Sequence, residues 1–173
     1  YLGIEKIVWL PRGVYCDETD GHVDNLCCFV RPGEDVLGWC DDAEDPQYDI
    51  CREAFQVLRT TRDSRCKSLK IHKLQQPGPL YMTAEEAAGI ETAPGSRPRR
   101  AGDRLAASYV NFYIANRHIV MPLLDPRRDQ RAKAAIARLF PGRKVIGVPA
   151  REILLGGGNI HCITQQQPRP QRR

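Results

Sequence analysis

The chain has 173 residues, enough to bury a core, and its 42% hydrophobic and 27% charged composition is that of an ordinary globular domain. No apolar run approaches the roughly 18 residues that span a bilayer, so no membrane partner is expected. The net charge of +5 has its local sources in Arg97, Arg99 and Arg100 and in Arg169, Arg172 and Arg173; neither cluster is interleaved with aromatics, so both read as solvated loop and tail rather than a nucleic-acid footprint.

The sequence opens on Tyr1 inside what reads as a strand over residues 4–10, with no charged-then-apolar leader, which suggests a segment cut from a longer protein. Strands are expected over 22–30 and 36–40, joined by a turn at Pro32-Gly33. A helix follows over 46–58, where Tyr48, Cys51, Phe55 and Leu58 form an apolar stripe, with Asp45 as N-cap and Pro46 as first helical residue. A strand over 69–74 returns. A short helix over 83–89 carries Thr83 and Glu86 at capping-box spacing, and residues 92–104, rich in Pro, Gly and Arg, read as an exposed loop.

The order then repeats. Strands over 108–115 and 118–124 precede a helix over 126–140, which buries Ala132, Ala135, Ile136, Leu139 and Phe140. Pro141-Gly142 stops it, and a strand over 144–148 returns. Both helices open on Asp-Pro with a second Asp four residues on (Asp45 and Asp49, Asp125 and Asp129). A strand–strand–helix–strand unit cannot bury its faces alone, which points to an α/β array such as a propeller; chance coincidence of common caps is the competing explanation. The tail carries two prolines and three arginines over 165–173, and its end is expected to fray.

Seven cysteines, with no CxxC pair and no knuckle-like Cys/His repetition, do not read as a structural zinc site or a disulfide framework. Most read as small buried apolar residues in a reducing compartment. Two constellations remain for chemistry. On a strand, His22 and Asp24 would project from one face, a proton-transfer group beside a carboxylate; the alternative is a turn in which Asp20 and Asn25 satisfy local backbone and His22 is merely a neighbour. Gly156-Gly157-Gly158-Asn159-Ile160-His161-Cys162 sets a cysteine four residues after a backbone able to approach a ligand closely, which suits an exposed nucleophile. His161, adjacent in extended chain, would point away from that thiol and makes a poor base for it. A phosphate cradle is weak, since no Gly-Lys-Ser/Thr follows. These residues alone mark a cysteine hydrolase of unspecified substrate.

The stretch GGGNIHCITQQQP at 156–168 closely resembles the C-terminal active-site signature of the agmatine deiminase family. IVWLPRGVYCDETDGHVDNLCCFVRPG at 7–33, DDAEDPQYDICREAFQVL at 41–58 and RLAASYVNFYIAN at 104–116 resemble the same family in order. The resemblance implies that residues 1–168 are the C-terminal part of one catalytic domain, a partial five-bladed α/β propeller, with a disordered basic tail at 169–173. It implies Cys162 as nucleophile, His22 as general acid/base and Asp24 as a guanidinium-gripping carboxylate, with Gly157, Gly158 and Asn159 also against the substrate. The implied reaction converts agmatine to N-carbamoylputrescine and ammonia through an amidino-cysteine, in polyamine biosynthesis in the cytoplasm. No metal or organic cofactor is implied, and a homodimer is expected from the family only. Asn116-Arg117-His118 departs from the family's Asn-Gly-Gly and is expected to alter a hairpin turn. The alternatives are a bacterial-type peptidyl-arginine deiminase, with the same chemistry on a larger substrate, and a catalytically silent interaction module; the isolated chain is expected to be inactive. A basic nucleic-acid binder is the third reading, and it requires salt-sensitive binding that survives trimming of the tail.

Overall fold

The computed structural model describes residues 3–18, 21–91, 95 and 98–167. The tail at 168–173, and with it Arg169, Arg172 and Arg173, lies outside the described residues, as do Asp20 and Arg97. Among the described residues, eleven elements run in the order α1 (Val23–Leu26), β1 (Cys27–Arg31), β2 (Glu34–Trp39), α2 (Gln47–Thr60), β3 (Lys70–Gln75), α3 (Ala84–Ala88), β4 (Tyr113–Ile114), β5 (His118–Leu123), α4 (Asp129–Leu139), β6 (Lys144–Pro149) and α5 (Arg151–Leu154). They build a mixed α/β fold with two three-stranded sheets, β1-β2-β3 and β4-β5-β6. In each sheet the first pair is antiparallel and the second parallel, so the strand–strand–helix–strand repeat exists in space.

The core follows from the two-residue period of β2. Val36 and Leu37 are both fully buried, yet successive strand residues face opposite ways. Val36 joins Val30 and Leu74 against Tyr109, Phe112, Ile119 and Ile136 of the second unit. Leu37 joins Trp39 against Ile50, Cys51, Ala54 and Leu58 of α2. The first sheet is thus covered on one face by its own helix and on the other by the second unit. Arg31 donates to the carbonyl of Leu139, and Arg128 Nη1 donates to that of Gln76 at 3.0 Å, fastening the units together.

Several expected elements differ. Residues 4–10 form no ladder; Val8 and Leu10 pack on the second core cluster while Ile7 and Trp9 stay 64% and 82% exposed, so the alternation is real but has no hydrogen-bonding partner among the described residues. The strand expected over 22–30 begins only at Cys27, because 23–26 coil into one helical turn. The strand expected over 108–115 shrinks to Tyr113–Ile114, since the Ser108 hydroxyl accepts from Val110 N–H at 3.0 Å and bends the chain. The second helix starts at Asp129 rather than 126: the Asp129 carboxylate caps the N–H groups of Leu124 and Asp125 at 3.0 Å and accepts from Tyr109 at 2.6 Å. The Thr83/Glu86 capping box is present.

The loop over 92–104 is anchored where it is described. Arg104 makes a two-pronged pair with Asp45 at 2.8 and 2.9 Å, and Arg99 pairs with Glu18 at 2.8 Å. Of the seven cysteines, all of them free, only Cys27 and Cys51 are buried, while Cys16, Cys66 and Cys162 are exposed; Cys16 and Cys66 occupy positive-φ positions.

Candidate active site

Four segments converge on the Cys162 thiol. The first is a loop that closes on itself, with Gly13 so near Gly21 that a Cβ there would lie 2.8 Å from the Gly21 Cα. That closure delivers His22, whose N–H donates to Asp17 at 2.6 Å. The second is α1, which carries Asp24. The third is the bend at 108–112, which carries Asn111. The fourth is the glycine turn and the helical turn after it, closed by Ile163 N–H to Asn159 O at 3.3 Å and Thr164 N–H to His161 O at 3.0 Å.

The geometry brings the expected trio together. One polar atom each from His22, Asp24 and Cys162 lies within 4.8 Å of the other two, a donor set also compact enough to consider for a metal ion. The Cys162 thiol donates to Asp24 Oδ2 at 3.3 Å and accepts from Asn111 Nδ2 at 3.1 Å. Gly158 makes room for it: a Cβ there would sit 2.8 Å from both Cβ and Sγ of Cys162. Gly157 supplies the positive φ of 88° that reverses the chain. The Asn159 side chain is turned inward, its Oδ1 accepting from Ile160 N–H at 2.9 Å.

Two expectations are corrected. His22 and Asp24 do not share a strand face, since His22 caps α1 and Asp24 lies within it. The His22 ring instead faces the Asp17 carboxylate, with Nδ1 3.6 Å from Oδ1, a charge contact too long for a hydrogen bond. Nor does His161 point away. Because residues 161–164 form a turn, its Nδ1 reaches Asp24 Oδ2 at 2.6 Å, the same oxygen that takes the thiol. Asn111 holds that turn through a second contact, Oδ1 accepting from His161 N–H at 2.8 Å. Both residues escaped the sequence reading because extended-chain geometry was applied to a turn, and because a lone asparagine in an apolar run has no spacing signal.

Buried polar atoms are normally paired, yet near the thiol several lack a hydrogen-bond partner among the described residues: His22 Nδ1, Asp24 Oδ1, both side-chain polar atoms of Asn25, and Asn159 Nδ2. Burial, with a further contribution from the Asp24 carboxylate, holds the Cys162 thiol above its ordinary pKa despite donation from Asn111. Burial pushes Cys27 and Cys28 up to about 12, which keeps them protonated and makes them poor nucleophiles. A cavity of about 410 Å³ opens beside Asp24 and His161, with Val8, Leu10, Phe29 and Phe112 among its walls. A larger groove of about 580 Å³ lies elsewhere, lined by Lys73, Arg127, Arg128, Arg131 and Arg138, and its sign disfavours a cationic substrate.

Residues 1–168 match the sequence model of the Porphyromonas-type peptidyl-arginine deiminase family. The chain belongs to that family. Within it, the chain is 57% identical over 172 residues to an agmatine deiminase of Pseudomonas fluorescens and 55% identical to one of Pseudomonas aeruginosa. Each alignment covers 99% of this chain and 47% of the relative, so the chain spans about half the length of the curated relatives it matches. The solved agmatine deiminase of Enterococcus faecalis superposes with a TM-score of 0.90 at 39% identity, over 97% of this chain and 46% of that one. A C. jejuni agmatine deiminase, solved as a cysteine-to-serine variant with substrate bound, superposes at 0.72 with 28% identity, over 92% and 41%. No helix among the described residues is long and apolar enough to cross a membrane.

Proposed function

We propose that this chain is part of an agmatine deiminase, a hydrolase that converts agmatine to N-carbamoylputrescine and ammonia and so serves putrescine synthesis. The observation that carries the reading is the meeting of Cys162, Asp24 and His22 within 4.8 Å, from segments 138 residues apart. In this reading residues 1–168 belong to one catalytic domain, two blades of a five-bladed α/β propeller, with a basic tail beyond. The complete protein acts as a cytoplasmic homodimer on a small molecule, not on nucleic acid.

The residues suit the chemistry. A guanidinium is a planar cation that pairs with carboxylates, and Asp24 offers Oδ1, the oxygen left free when Oδ2 takes the thiol and His161. With no substrate the thiol stays protonated, because burial and the Asp24 charge oppose ionisation. A bound cation offsets that charge and lowers the thiol pKa, so the nucleophile forms where its target already sits. The thiol proton passes to His22, Cys162 Sγ bonds to the guanidinium carbon, the C–N bond to a terminal nitrogen breaks, and His22 gives that nitrogen the proton with which it leaves as ammonia. His22 next takes a proton from water, whose oxygen attacks the amidino carbon. The C–S bond breaks, leaving the urea product and the free thiol. Gly157, Gly158 and Asn159 shape the turn against the substrate, and none of these steps calls on a metal or organic cofactor.

The rival substrate is an arginine side chain in a peptide, suggested by the family's own description. Agmatine is favoured because relatives bearing the agmatine deiminase name match at 57% and 55% over 99% of this chain. Supplying agmatine and an arginine peptide to the full-length protein decides between them. Ammonia release from agmatine with Cys162 intact, lost in Cys162→Ala, is the expected result; release from the peptide alone rejects the reading. The isolated chain, carrying only part of the length of its relatives, is expected to be inactive.

A further inference from the structure

The groove between the two units has no part in the reaction. It measures about 580 Å³, with the end of β2 and β3 on one side and α4 and the residues before it on the other. It shares no wall residue with the cavity beside Asp24. Among the described residues, Lys73, Arg127, Arg128, Arg131 and Arg138 line it against one carboxylate, Asp41. That carboxylate is engaged elsewhere, accepting from Trp39 Nε1 at 2.8 Å and lying 3.9 Å from Arg52 Nη2. Arg127 and Arg128 share a single acid, Asp125, at 3.5 and 3.7 Å, and Arg128 is also fixed by the Gln76 carbonyl.

The remaining cations are not paired off as on an ordinary solvated helix, where opposite charges meet three or four residues apart. The one acid of α4, Asp129, is turned inward to cap Leu124 and Asp125. Arg131 and Arg138 are left with no carboxylate partner among the described residues. They stand seven residues apart, which puts them on one face about 10 Å apart along the axis, with the small Ala135 between them in the groove wall. Lys73 on β3 holds its Nζ 3.6 Å from the Trp39 ring centroid and likewise has no carboxylate partner among the described residues. Like charges gathered in a concave wall focus a positive potential on whatever enters. Arginine forks grip phosphate oxygens two at a time, and the volume is that of a small-molecule site. Trp39, the aromatic residue of the wall, is 5% exposed and offers no open face on which a base could stack. We propose that the groove binds a compact polyphosphate, a small molecule with two or more linked phosphate groups, held between Arg131 and Arg138 on α4 and Lys73 on β3. This site does not depend on the deiminase reading and stands or falls by its own test.

Tripolyphosphate is the probe, titrated by calorimetry into the full-length protein. Saturable binding at one site per chain is expected, weakening as salt rises. Arg131→Gln and Arg138→Gln are each expected to weaken it roughly tenfold or more, the worth of a charge-assisted hydrogen bond. Both side chains are exposed on the helix, so the thermal midpoint and agmatine turnover without added phosphate are expected to stay at wild-type values. Arg59→Gln is the control: it removes the same charge from an exposed position on α2 outside the groove and is expected to leave binding unchanged. No saturable binding, wild-type affinity in the Arg131→Gln/Arg138→Gln protein, or an equal loss in Arg59→Gln overturns the assignment. A thymidine oligonucleotide that binds more tightly than tripolyphosphate through the same two arginines overturns it in favour of an extended strand.

Discussion

Gly158→Ala puts the glycine turn to a quantitative test. The added methyl would stand 2.8 Å from both Cβ and Sγ of Cys162, about 0.7 Å inside the ~3.5 Å at which carbon atoms normally pack. The turn cannot yield easily, because Ile160 and His161 are tied by their N–H groups to Asn159 and Asn111 at 2.9 and 2.8 Å. The thiol moves instead, and a shift of that size breaks its contact with Asn111 at 3.1 Å or with Asp24 at 3.3 Å. Misplacing a reacting atom by about 1 Å costs on the order of 100-fold in rate. Full-length Gly158→Ala is therefore expected to lose roughly 30- to 100-fold in kcat for ammonia release from agmatine, with its thermal midpoint close to wild type. Gly89→Ala is the control, since a methyl there meets nothing nearer than 3.5 Å. A Gly158→Ala enzyme working at the wild-type rate would refute the claim that the glycine exists to seat the thiol.

Other consequences can be measured separately. His22→Asn is expected to block both halves of the cycle, read by mass spectrometry of acid-quenched enzyme; an adduct that forms and decays at the normal speed removes His22 from its role. Tyr109→Phe deletes the buried hydroxyl that donates to Asp129 at 2.6 Å and is expected to cost about 1–3 kcal/mol in chemical denaturation; no measurable loss contradicts the capping account of α4. Asp35 carries a stability signature of its own. Its carboxyl rises from an ordinary 3.8 to about 6 on folding, so the native state binds the extra proton and ligand-free stability falls as pH rises between those values. Asp35→Val is expected to remove that slope and to stabilise the protein by about 1–3 kcal/mol at neutral pH; an unchanged slope contradicts it.

The fold was legible where the signal was a period. The stripe Tyr48, Cys51, Phe55, Leu58 marked α2, and the two strand–strand–helix–strand units were visible from their Asp-Pro openings and returning strands. It was misread where a side chain overruled the period. Asp129 uses its carboxylate to cap Leu124 and Asp125 and so delays α4, and the Ser108 hydroxyl bends a run that is apolar enough for a strand. At the site, the glycine turn and the residue types of Cys162, His22 and Asp24 could be read directly. Two further contributors could not. His161 joins Asp24 only because residues 161–164 coil, and Asn111 acts through a tertiary contact 51 residues away.

The central claim is that Cys162 becomes covalently bonded to the carbon of a guanidinium held by Asp24. Acid-quenching the full-length enzyme during agmatine turnover, then digesting it and locating modified cysteines by mass spectrometry, tests this most directly. The expected result is an increment of agmatine less ammonia on the peptide containing Cys162, absent from Cys162→Ala. Rapid turnover with Cys162 unmodified at every quench time, or the same increment on Cys28, would contradict it.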